Sequence, residues 1–94
     1  MSYEEFIALE KPSDELSPYL TALWHERHGD WKRAHEIVQD IESPEASVIH
    51  AYLHRVEGDL SNAQYWYGQA HRRAELSLPL EEEWERLARE MLNL

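Results

Sequence analysis

Apolar residues recur at helical spacing along most of the chain, in stretches punctuated by glycine, serine and proline. Leu16, Leu20 and Leu23 share one face of a first stretch. Ser13 or Ser17-Pro18 can open it, a hydroxyl cap followed by a proline tolerated in the first turn, and it should run to about His28. Trp31, Ala34, Val38 and Ile41 predict a second helix from about Asp30 to Glu42. Ser43-Pro44-Glu45 is a compact stop and restart that opens a third helix reaching Glu57. Its broad apolar face is Ile49, Tyr52, Leu53 and Val56, with Ser47, Ala51, His54 and Gly58 opposite. Leu60, Ala63, Tyr67, Ala70 and Ala74 predict a fourth helix from Asp59 to about Glu75, with His71, Arg72 and Arg73 at its negative end. Gly68 inside it costs roughly 1 kcal/mol against alanine and suggests close approach of a neighbouring backbone. After Ser77-Leu78-Pro79, the residues Leu80, Trp84, Leu87, Ala88 and Met91 line one face of a last helix, with Glu81, Glu82 and Glu83 at its positive end. Residues 1–12 read as a short arm over the first pair of helices, and nothing alternates as a strand would.

The junction between the first and second helices and that between the third and fourth are copies. Ala22, His25, Gly29, Asp30 and Ala34 return twenty-nine residues later as Ala51, His54, Gly58, Asp59 and Ala63. In each copy glycine takes the left-handed conformation that ends one helix, and aspartate accepts hydrogen bonds from the free amides of the next. The repeat therefore encodes a helical hairpin, and its small alanines let the helices approach closely. Asp30 and Asp59 are explained as caps rather than as catalytic acids.

Gly29-Asp30-Trp31-Lys32-Arg33-Ala34, followed by Val38 and Ile41, resembles the second helix of a tetratricopeptide repeat, and so does Gly58-Asp59-Leu60-Ser61-Asn62-Ala63, followed by Tyr67 and Ala70. Ala22 and Ala51 match the alanine of that family's first helix, and the resemblance covers roughly residues 15–74. The period is shorter than the usual spacing of about 34, His25 and His54 stand where a tyrosine is usual, and the closing proline is displaced to Pro44 or replaced by Pro79. The resemblance implies an all-α fold, a short right-handed α-solenoid of two antiparallel helix hairpins plus a C-terminal capping helix. The single domain of 1–94 then divides into an arm (1–12), a first hairpin (15–42), a second hairpin (44–75) and a cap (79–93). It also implies a protein-interaction or scaffold role, with a protein or peptide partner or self-association, and no catalytic residue. Two repeats fall below the usual minimum of about three, so terminal segments or a second copy of the chain should cover the ends.

Composition narrows the partner further. Nineteen acidic against nine basic side chains give a formal charge of −10, which disfavours nucleic acid and anionic membrane surfaces. The chain has no run of apolar residues long enough to cross a bilayer and no basic signal-like start, so a cytoplasmic location is expected. Without cysteine there are no disulfides, thiolate catalysis or cysteine-ligated metals. No phosphate-binding glycine loop, nucleophile elbow or His-Glu-x-x-His motif is present, so neither an enzyme nor a cofactor is expected.

Histidine is the residue type that carries the remaining chemistry. His50 and His54, four apart on one helix, have the spacing at which two imidazoles share a metal. His25, the repeat counterpart of His54, is the expected third ligand of a metal or small-molecule site, with Glu57 or Glu26 as an oxygen ligand. The preferred reading is that these histidines pack and hydrogen-bond between helices. His28 and His71 fall near helix C-termini, and His35 lies at a polar edge without assigned function. Tyr65-Trp66-Tyr67 must point in three directions, with Tyr67 buried, Trp66 flanking and Tyr65 exposed as a contact candidate. Trp24 and Trp31 read as packing residues. The candidate binding surface is thus Tyr65, Trp66, His54, His50 and Arg55. A carboxylate clamp built from Lys32, Arg33, Arg55 and Asn62 has too few donors to be favoured.

Overall fold

In the computed structural model, which describes residues 1–94, the chain forms six helices and no strand. They are α1 (Tyr3–Ile7), α2 (Pro18–Arg27), α3 (Trp31–Val38), α4 (Pro44–Val56), α5 (Leu60–Gln69) and α6 (Leu80–Leu92). No helix is long and apolar enough to cross a membrane.

Side-chain caps open the four central helices. Ser17 accepts from the Leu20 amide, Asp30 from Arg33, Ser43 from Ala46 and Asp59 from Asn62. The two Gly-Asp turns carry out both jobs their sequence implies. Gly29 and Gly58 sit at φ 85° and 87°, and the Gly29 and Asp30 amides return to Glu26 and His25 carbonyls as those of Gly58 and Asp59 return to Arg55 and His54. A third turn follows the same hydrogen-bond pattern with a histidine in the left-handed position. His71 has φ 59°, its amide reaches the Gly68 carbonyl, and that of Arg72 reaches Tyr67.

That third turn corrects the expected length of the fourth helix, which ends at Gln69 rather than near Glu75. His71 and Arg72 close its C-terminus, while Ala74 and Leu76 leave the helix and pack on the core. The second helix likewise stops at Val38, short of Glu42. Pro44 forces Ser43 into extended backbone, so the chain has to leave helical geometry before it. Gly68 marks no close approach: a Cβ added there meets nothing within 4 Å.

Helices α2 and α3 pack as a pair, α4 and α5 as another, and α3 lies on α4. The central element is α4, buried without interruption from Ala46 to His54. Its apolar face meets the core, and its polar face, with Ser47, His50 and His54, is also covered.

The last helix does not simply extend the row. It packs on α2 and α4, the first helices of both pairs, and on α1. The Trp84 indole donates to the Leu23 carbonyl at 3.1 Å, Phe6 stacks on Trp84 with centroids 5.9 Å apart, and Glu83 accepts from Tyr67 at 2.6 Å. The N-terminal arm therefore forms a short helix against α6, and it touches the first pair where the Leu9 carbonyl accepts from the Trp24 indole.

Candidate functional site

On the polar face of α4, histidines from two helices converge. His50 and His54 project from successive turns of α4 with their rings 4.8 Å apart and nearly parallel. They are 6% and 7% exposed, although imidazole is seldom so deeply buried without partners. The third histidine comes from α3: His35 Nε2 stands 3.0 Å from His50 Nε2. One ligand nitrogen from each of His35, His50 and His54 can be chosen so that all lie within 4.8 Å of one another.

Surrounding groups hold each ring. Trp31 stacks on His35 at 4.9 Å and Trp66 stacks on His50 at 4.0 Å. Trp31 is itself anchored by its indole N–H, which donates to the Leu53 carbonyl at 2.7 Å. His54 Nδ1 is 2.6 Å from Glu57 Oε1. A carboxylate only accepts there, so Nδ1 carries the proton and Nε2 keeps its lone pair, toward which the Asn62 side-chain amide donates at 3.3 Å. This is the arrangement by which carboxylates orient metal-binding histidines.

The electrostatics favour neutral His35 and His50. Burial, and then His35 and His54 nearby, push His50 down to about 4. Burial and His54 also lower His35. Both rings are therefore neutral at neutral pH, and in their hydrogen bond one Nε2 donates and the other accepts; a metal would take both nitrogens by moving that proton to the donor ring's Nδ1. In a tetrahedral zinc site with Zn–N of about 2.0–2.1 Å the ligand nitrogens stand about 3.3 Å apart, close to the His35–His50 separation, and a His54 nitrogen lies within 4.8 Å of both.

His25 is not part of this cluster, which corrects the expectation that it would be the third histidine. It lies on α2, half-buried and edge-on to Trp24. His35 succeeds because α3 lies directly against α4. The usable signal was Trp31 and His35 at i and i+4 on a helix that must touch pairs on both sides. Asn62 entered the sequence reading only as a clamp donor, and here it belongs to the histidine cluster.

Arg55, a further candidate, points away from the cluster. Its guanidinium pairs with Glu83 at 2.7 Å and donates to the Leu76 and Leu78 carbonyls, tying α4 to α6 and to the segment before it. Those partners occupy it, so it belongs to the packing rather than to a binding surface. Tyr65 is 58% exposed, edge-on to Trp66, and with it lines an open cleft of about 530 Å³ that also includes Ser47 and His71. Asp30 and Asp59 are helix caps. Asp59 lies near His54 and Glu57, but its carboxylate accepts from the Asn62 amide and from Ser61. His28 stacks on Trp24 at 3.8 Å and bonds its carbonyl, at the end of α2. Elsewhere, a cleft of about 560 Å³ is walled by Tyr3, Glu26, Tyr52, Glu81 and Glu85 and holds no histidine. Burial raises Glu26 there.

Comparison of the chain with protein-family models, with characterised proteins and with solved structures finds no match.

Proposed function

We propose that this protein binds a divalent transition metal, with zinc as the best fit, through His35, His50 and His54. The observation that carries the reading is the convergence of three imidazoles from two helices, one backed by the Glu57 carboxylate and two held by stacked indoles. Structural packing alone accounts for buried histidines. The His35–His50 hydrogen bond at 3.0 Å and the contacts of His54 with Glu57 and Asn62 satisfy these rings without an ion; what favours a metal is that one nitrogen from each ring lies within 4.8 Å of the other two, with two already near ligand spacing. An imidazole-only donor set suits zinc, copper, nickel or cobalt rather than magnesium or calcium, which prefer oxygen. The chain's net charge of −10 attracts cations in general.

The scaffold in this reading is a two-hairpin, tetratricopeptide-like α-solenoid in which α3 and α5 flank the site and α6 closes the opposite side. A protein-binding role has weaker support. The face shared by α2 and α4, where a partner segment would lie, is covered by α6. What favours it is exposed Tyr65 beside Trp66.

Elemental mass spectrometry on tag-free protein, with melts in chelator and in added zinc, tests the metal reading. Metal at one per chain is expected. Free zinc at about a hundred times Kd should add about 2.7 kcal/mol, or roughly 10–20 °C in Tm for a domain of this size. His35→Ala should abolish that gain. An unchanged melt, with no metal taken up by the wild type, would refute the reading.

A further inference from the structure

We infer, resting on the metal reading above, that the fourth coordination position of the bound ion is open and that the Asn62 amide serves it. The loaded site would then take water-derived hydroxide or a small anion. The first support is a ligand count. Three histidine nitrogens lie within 4.8 Å of one another, and the nearest carboxylates already have partners. Glu57 is turned to His54 Nδ1, and Asp59 holds the start of α5. Three protein ligands with a fourth position left to solvent is the arrangement that zinc adopts where it binds exchangeable ligands.

The second support is hydrogen-bond accounting. Asn62 donates to His54 Nε2, the nitrogen left for the metal once Glu57 has taken Nδ1. When the ion claims that lone pair, the half-buried amide N–H loses its acceptor, and an unsatisfied donor there is costly. The acceptor within its reach is whatever fills the ion's fourth position. A donor so placed favours an anion over a neutral ligand, because hydrogen bonds to charged groups are the stronger ones.

The third support is shape. Trp31 and Trp66, stacked on His35 and His50, wall the site with rigid apolar rings. His35 and Asn62 are only half-buried, which leaves a route from solvent. Walls of this kind admit a ligand of a few atoms, such as azide, formate or hydrogencarbonate.

The test uses the full chain loaded with Co²⁺, whose visible spectrum reports coordination, titrated with sodium azide. Wild type should show a saturable spectral change. Asn62→Ala and Asn62→Leu, titrated at saturating cobalt, should weaken azide at least about tenfold, as loss of a hydrogen bond to a charged ligand implies. A cobalt spectrum indifferent to azide in wild type means a closed site and overturns the inference while the metal reading stands. Loss of cobalt binding in well-folded Asn62 variants identifies Asn62 as the fourth ligand and also overturns it. Failure of the wild type to take up cobalt overturns the metal reading and this inference together. The wild-type titration decides the matter even where a variant does not fold.

Discussion

At the scale of single residues, the site depends on protons being in particular places. Glu57 holds the His54 proton on Nδ1 and so presents Nε2 to the cluster. Glu57→Ala should therefore weaken zinc by about 10–100-fold, as removal of a supporting carboxylate does, and should also lower the melt in chelator, because it leaves the buried His54 Nδ1–H without its acceptor. Competition titration with a chromogenic chelator measures this. His50 makes a separate prediction for the metal-free protein. Its value is depressed to about 4 in the folded state against about 6.5 unfolded, so between those pH values the unfolded chain binds the extra proton. Its stabilising contribution is complete above about pH 6.5 and is lost as pH falls toward 4, on the order of 3 kcal/mol in all. Urea titrations in chelator should show wild type losing stability over that window more steeply than His50→Gln. Equal slopes would mean that His50 is not held neutral by the fold.

At the scale of elements, the three glycines fill two roles, Gly29 and Gly58 the left-handed turn and Gly68 an ordinary helical position. Gly58 adopts the left-handed conformation, so Gly58→Ala should cost more than about 1 kcal/mol even though a Cβ would meet nothing. Gly68 is in ordinary helical backbone and equally open, so Gly68→Ala should stabilise by about 0.5–1 kcal/mol. Melts of the two variants, opposite in sign, check both. The caps, the Gly-Asp turns and the all-helical class were legible because each depends on residues within about four positions of one another. The two early helix ends were less so. Periodicity continues through Ile41 and Ala74, and those residues do pack on the core, but from irregular backbone. An apolar position says that a side chain is buried and leaves open which backbone carries it there.

At the scale of the whole molecule, Arg55 and Glu83 couple α4 to α6 through a largely buried ion pair, with Arg55 also satisfying the Leu76 and Leu78 carbonyls. Arg55→Ala leaves Glu83 and those carbonyls uncompensated and should cost about 3–5 kcal/mol, measurable as a fall in the urea midpoint at constant m. Zinc affinity per folded molecule should survive, since Arg55 faces away from the histidines. That outcome separates the side of α4 that holds the fold together from the side that holds the cluster.

The amino-acid sequence by itself determined the helical class, the hairpin turns, most buried apolar positions and the pairing of His50 with His54, all consequences of short-range sterics, capping and the 3.6-residue period; it did not determine that Leu60 and Leu80 stay exposed or that α4 is buried on both faces. Only the tertiary structure decided that His35 rather than His25 completes the cluster, that Arg55 serves the core, and that α6 lies across α2 and α4. Those outcomes depend on which faces of separate helices meet and at what register. That register is set jointly by side chains far apart in the chain, such as Trp31 against the Leu53 carbonyl and Trp84 against the Leu23 carbonyl, and no local pattern carries it.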